Sequence, residues 1–269
     1  MDATRPTLPR LAAVAVLVAA AVVGLLGVPR DGDDAGAVAT ASTAPPVPPG
    51  TAAAPAPTDG WAPWATAADG TPLRWDPCAP IELVLRPDGA PPDAEADLRT
   101  ALGRLAAASG LDLRLVGTTD EAPSARRPLV VRADGGWRWA PVLVAWDRPG
   151  VGGMPLGPHD RGVAVPVGVR DGDRRALVTG QVVLNAARTD LRPGFDDRAD
   201  AWGATLLHEL GHLLGLAHVA DPSQLMAGDP GRGPVVLGAG DLAGLTALGA
   251  AGGCVAAPDP TPGLDAGIG

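Results

Sequence analysis

The chain has no tyrosine, no lysine, one phenylalanine and two cysteines in 269 residues. Without lysine, arginine is the only basic side chain besides four histidines, and the formal net charge is −9 with a pI near 4.8. An acidic chain with no basic patch argues against nucleic-acid binding. Only His159 lies outside the histidine-rich stretch at 208–218, too few for a second histidine site. No cysteine lies near the N-terminal apolar run, so none can accept a lipid there. The lack of lysine and the abundance of alanine, glycine and proline read as coding bias and say little about mechanism.

The N-terminus carries an address. Arg5 and Arg10 precede an apolar run at 11–28, and Asp31, Asp33 and Asp34 follow it. That charge order keeps residues 1–34 as a cytoplasmic N-terminus with a signal peptide or signal anchor and exports the rest. The run is long for a signal-peptide core and barely long enough to span a bilayer. Ala37-Val38-Ala39 offers a cleavage site, set far from the run, and cleavage and retention as a membrane anchor both stay open. The expected location is extracytoplasmic, either secreted or tethered to the outer face of the membrane.

Residues 35–59 are alanine, proline, threonine and glycine with almost no large apolar side chain, a composition that cannot offset its ordering entropy. They read as a disordered linker, either a stalk or a leader removed after export. The tail 256–269 has the same character. Residues 60–255 are enough for one sizeable core and read as one domain, expected to be a monomer. Strands are expected at 81–86, 111–116, 141–146 and 181–185. A helix is expected at 93–109, with Leu98, Leu102 and Leu105 on one stripe and Gly110 ending it, and a closing helix at 240–250. Residues 163–169 are valine-rich and extended but contain Pro166, which cannot donate to a ladder and places the strand at a sheet edge. That edge would either pair with an extended substrate backbone or be a plain protected edge. The tryptophans, Trp61, Trp64, Trp137 and Trp139 among them, receive no role.

The chemistry concentrates in His208-Glu209-Leu210-Gly211-His212-Leu213-Leu214-Gly215-Leu216-Ala217-His218. Residues four apart share a helix face, so His208 and His212 can address one ion, while Glu209, one step round, reaches a water on that ion. Gly215 can take the left-handed conformation that ends the helix and turns the chain back, freeing His218 to be the third ligand. Three neutral nitrogens leave Zn2+ its full charge and an open position for water, whose pKa such sites bring to about 7. Glu209 would be the general base. The competing view is a buried leucine helix with incidental histidines, a costly way to seat three polar rings.

The stretch resembles the metzincin signature H-E-x-x-H-x-x-G-x-x-H, and Met226 in a short downstream turn resembles the Met-turn of that clan. Within it the chain is most similar to secreted bacterial matrixin-like peptidases. Trp75-Asp76-Pro77-Cys78, Val142-Leu143-Val144-Ala145-Trp146, Gly180-Gln181-Val182-Val183-Leu184-Asn185, Gln224-Leu225-Met226 and Gly240-Asp241-Leu242 read as landmarks of that group. The resemblance implies an α+β fold with a twisted mixed sheet, an active-site helix, a Met-turn and a C-terminal helix. It implies one catalytic Zn2+ on His208, His212 and His218, with Glu209 as base and Met226 as a packing platform beneath the metal. The implied activity is endopeptidase action on protein or peptide substrates. A noncatalytic, zinc-stabilised surface binding module is the alternative.

Cys78 and Cys254 bracket the domain in an oxidising compartment, so they read as a disulfide; a Cys78 thiolate on the zinc, as in animal relatives with a cysteine switch, is the other reading. His159 reads as a surface loop residue, or else a residue of the active-site rim. Asp171, Asp173, Asp196 and Asp197 offer oxygen ligands for Ca2+, but in no calcium-loop spacing, and nothing in the sequence supports such a site.

Overall fold

The alternation of valine-rich stretches with one leucine-striped helix produces a mixed sheet backed by helices. The computed structural model describes residues 15–18, 21–22, 60–171, 173–195, 200–228, 236–260 and 262. Its strands are β1 (Ala15–Val18), β2 (Ala21–Val22), β3 (Ile81–Arg86), β4 (Leu113–Thr118), β5 (Val130–Ala133), β6 (Gly136–Trp139), β7 (Val142–Asp147), β8 (Gly162–Asp171) and β9 (Arg174–Asn185). The α-helices are α1 (Ala94–Ser109), α2 (Trp202–Leu213) and α3 (Ala239–Leu248). The main sheet runs β8-β9-β7-β3-β4, with β1 and β2 added outside β8. Strands β4, β3, β7 and β9 are parallel neighbours and β8 is antiparallel to β9. β7 is buried along most of its length, as a central parallel strand covered on both faces must be.

Each expected strand is present, β9 beginning seven residues earlier than expected, at Arg174. The hairpin β5–β6 was not foreseen. Its loop is Asp134-Gly135, with Gly135 at φ 83°, and Asp-Gly between two extended runs is a strong two-residue hairpin signal.

Helix α1 lays Leu98, Ala101, Leu102 and Leu105 into the core and keeps its other side in solvent. Gly110, left-handed at φ 71°, ends it by donating its N–H to the Ala106 carbonyl at 2.8 Å. Helix α2 differs in being buried over all its residues. It crosses the sheet where Gly180 of β9 leaves room: a Cβ there would lie 2.8 Å from Leu213 Cδ1.

Cys78 and Cys254 are joined in a disulfide with their Cα atoms 5.5 Å apart, tying the segment before β3 to the segment after α3. Cys78 is thereby committed to sulfur, and the thiolate-switch reading falls. Residues 256–260 belong to the tail expected to be disordered, yet they contact the domain: Trp139 Nε1 donates to the Pro258 carbonyl, and Arg174 pairs with Asp259. The linker 35–59 lies outside the described residues. Among the described residues no helix is long and apolar enough to cross a membrane. Six residues of the N-terminal apolar run instead form β1 and β2, antiparallel to β8. β8 is therefore the edge of the domain's own five strands but not of the sheet.

Candidate metal centre

Helix α2 presents His208 and His212 one turn apart, and the chain then reverses. Leu216 N donates to Gly211 O and Gly215 N to His212 O, both at 3.0 Å. This is the paired bond pattern of a glycine-terminated helix, with Gly215 at φ +103°. The reversal was the role assigned to Gly215 from the sequence. It brings His218 back beside the helix, where the Nε2 atoms of His208, His212 and His218 stand 3.1 Å from one another on all three sides.

That triangle is electrostatically unreasonable without a cation. His208 Nδ1 faces the Leu225 carbonyl and His212 Nδ1 the Leu216 carbonyl, each at 2.8 Å. A carbonyl only accepts, so both Nδ1 atoms carry the ring proton and both Nε2 atoms present lone pairs. Burial, the largest cause, keeps the rings neutral: it lowers the His208 pKa to about 3, helped by the neighbouring His218, and pushes His212 well below and His218 below the usual histidine value. Converging lone pairs at 3.1 Å repel unless a positive ion lies between them. The spacing is close to the ~3.3 Å edge of a tetrahedron with Zn–N bonds of ~2.0–2.1 Å. The residues present therefore fit a zinc ion, with the His208-Glu209, His212 and His218 arrangement of a zinc-protease catalytic motif.

Glu209 is fully buried, and both carboxylate oxygens lack a hydrogen-bond partner. Desolvation, and secondarily the charge of Asp160, raises its pKa well above the usual value. Its side chain lies against the first residue of β8: a Cβ on Gly162 would sit 2.9 Å from Glu209 Cγ. Glycine at 162 is what lets β8 approach the carboxylate.

Behind the histidines sits support the sequence did not single out as functional. Asp241 of α3 is buried and accepts hydrogen bonds from the backbone N–H groups of Leu225 (2.6 Å), Gly238 (2.7 Å) and Met226 (3.2 Å). Its pKa is raised by burial, against those bonds. Gln224 Oε1 accepts from Gly240 N at 2.7 Å, locking the same turn to α3. Since the Leu225 carbonyl receives His208 Nδ1, Asp241 orients a ring it does not touch. Met226 is buried beneath α2, so close that a Cβ on Gly211 would lie 2.6 Å from its sulfur. Trp75 Nε1 donates to Leu213 O at 2.8 Å and fixes the end of α2.

The other candidates lie apart. His159 is exposed on the loop before β8, and only its backbone is engaged, accepting from Arg188 Nη1. Asp171 pairs with Arg174, Asp173 joins no ligand cluster among the described residues, and Asp196 and Asp197 lie outside them. Asp76 lies near Cys78 and Cys254, but both sulfurs are spent in the disulfide.

A mixed α+β domain with a histidine triad formed by its buried helix and the segment after it is the class that fold and site define, and the triad's spacing matches a metzincin-like motif. No protein-family model matches the chain, and no curated protein is significantly similar to it.

Proposed function

We propose that the protein is an extracytoplasmic zinc-dependent endopeptidase of the metzincin type, of the matrixin-like bacterial kind. The observation that carries the reading is the convergence of three Nε2 atoms at 3.1 Å beside a buried, unpartnered carboxylate. His208, His212 and His218 would hold the ion, and the turn at Met226 would be its packing platform. Zinc, when bound, supplies an electrophile that polarises a peptide carbonyl and acidifies water. Glu209 takes the proton from the attacking water and hands it to the leaving amine. Its raised pKa and dry surroundings suit an exchange in which it must both accept and release a proton. The close approach of Gly162 keeps the carboxylate beside β8, and the outer edge of β8 pairs antiparallel with β1 and β2. That pairing supports a substrate bound in extended form along the same edge.

The purified domain should cleave a mixed peptide library, lose cleavage with a chelator and regain it with Zn2+. Stoichiometric zinc with no hydrolysis of any peptide would favour the surface binding module, and no stoichiometric metal would remove both readings. The charge order around residues 11–28 carries the export proposal; fractionation of cells producing the full chain tests it.

A further inference from the structure

Thr205 stands out among the hydroxyls of the helices. In α1, Thr100 Oγ1 donates to Ala96 O at 2.9 Å and Ser109 Oγ to Leu105 O at 2.7 Å; in α3, Thr246 Oγ1 donates to Leu242 O at 2.8 Å. This bond to the carbonyl four residues back is the ordinary refuge of a helical hydroxyl. Thr205 does not use it. The residue is 1% exposed, and its Oγ1 has no hydrogen-bond partner. A buried hydroxyl left unpaired is destabilising, and valine would fill the same volume at no such cost.

The unpaired donor has an unpaired acceptor one turn away. Glu209 lies four residues on, and both its oxygens are buried without partners. Residues four apart are neighbours on a helix surface. Helical side chains lean toward the N-terminus, over the residue four positions back, so Glu209 leans over Thr205. Trp202, the first residue of α2, packs edge-on against Trp146 with ring centroids 5.9 Å apart.

We propose that Thr205 is a positioning residue for Glu209: in the metal-loaded protein its hydroxyl donates a hydrogen bond to one carboxylate oxygen and leaves the other to face water. The inference rests on the peptidase reading of the site. One oxygen pinned from below fixes the rotamer of the base, and misplacing a catalytic group by even 1 Å is costly in rate.

The test compares Thr205→Val and Thr205→Ser with the parent on a peptide substrate. Thr205→Val should lower kcat about tenfold while KM and zinc stoichiometry stay unchanged, and Thr205→Ser should recover kcat to within about twofold, since it keeps the hydroxyl. An unchanged kcat in Thr205→Val, accompanied by a higher melting temperature, would mean an idle hydroxyl and would overturn the proposal. A second readout does not depend on turnover. Melting temperatures of zinc-loaded parent, Thr205→Val, Glu209→Ala and the double variant should be non-additive, as for groups in contact; additivity overturns the proposal. If Thr205→Val does not fold, Thr205→Ala takes its place in the same cycle. A parent that binds zinc but cleaves nothing would defeat the peptidase reading alone, leaving the Thr205–Glu209 pair to the melting cycle.

Discussion

Helices α1 and α2 pack against each other, yet they obey opposite rules. α1 is amphipathic: its leucines are buried and its outer face carries an exposed Arg99–Glu95 pair spaced four residues apart. α2 is buried on every side and holds two imidazoles, a hydroxyl and a carboxylate that an apolar core should exclude. α1 shows what stability asks of a helix, and α2 what chemistry asks. The unsatisfied groups of α2 are concentrated where a cation and a water would satisfy them, a pattern expected where function overrides local stability.

The largest effect expected from breaking this contrast is on turnover. Glu209→Ala should lower kcat by roughly 10²–10⁴-fold, the span for loss of a general base, while zinc content measured by elemental analysis stays at one per chain. Loss of zinc in this variant would make Glu209 a ligand instead of a base. On α1, Leu98→Ala should cost about 2–5 kcal/mol in urea unfolding, with the zinc content of the remaining folded protein unchanged. A smaller cost would mean that the stripe under α1 collapses to fill the gap.

Metal-free protein should lose stability in acid. The α2 histidines have folded pKa values below the unfolded value of 6.5, His208 near 3. The unfolded chain therefore binds more protons below 6.5, and stability falls as pH drops toward 3. Glu209 runs the other way: its raised pKa contributes stability that is full below 4.5 and lost as pH rises through the folded value. The three histidines of the site outnumber its two raised carboxyls, Glu209 and Asp241, between 4.5 and 6.5, so the melting temperature should fall from pH 7 to pH 5. Saturating zinc should hold the rings neutral and flatten that fall; a flat profile without metal would contradict the burial of the rings. Smallest of all, Arg99→Ala should change unfolding free energy by no more than about 0.5 kcal/mol, as an exposed pair four residues apart does. A larger loss would show that the outer face of α1 carries more than solvent contact.

The sequence was most legible where spacing along one helix decides geometry. His208, His212 and Glu209 follow from the helical repeat, and the role of Gly215 from its freedom at positive φ, observed at +103°. The Leu98, Leu102 and Leu105 stripe foretold α1 for the same reason. Asp241 and Gln224 were less legible, because an aspartate in a helix first turn is ordinarily a surface residue favoured by the helix dipole. Nothing local says that Asp241 is buried and receives the N–H groups of Leu225 and Met226. The Asp134-Gly135 hairpin had a local signal, but its strands are short and one is mostly exposed.

What the linear order determined alone is therefore the placing of His208, Glu209 and His212 on α2, the charge order at the N-terminus and the alternation of strands with helices, since each depends on neighbours within a turn or two. Only the tertiary structure decided that Gly162 rests on Glu209, that Asp241 steers His208 through the Leu225 carbonyl, that Cys78 meets Cys254, and that the hydroxyl of Thr205 is buried with no partner. The first three join residues distant along the chain, and the last depends on what packs around α2. Such outcomes are settled by how the whole core closes, which no local pattern contains.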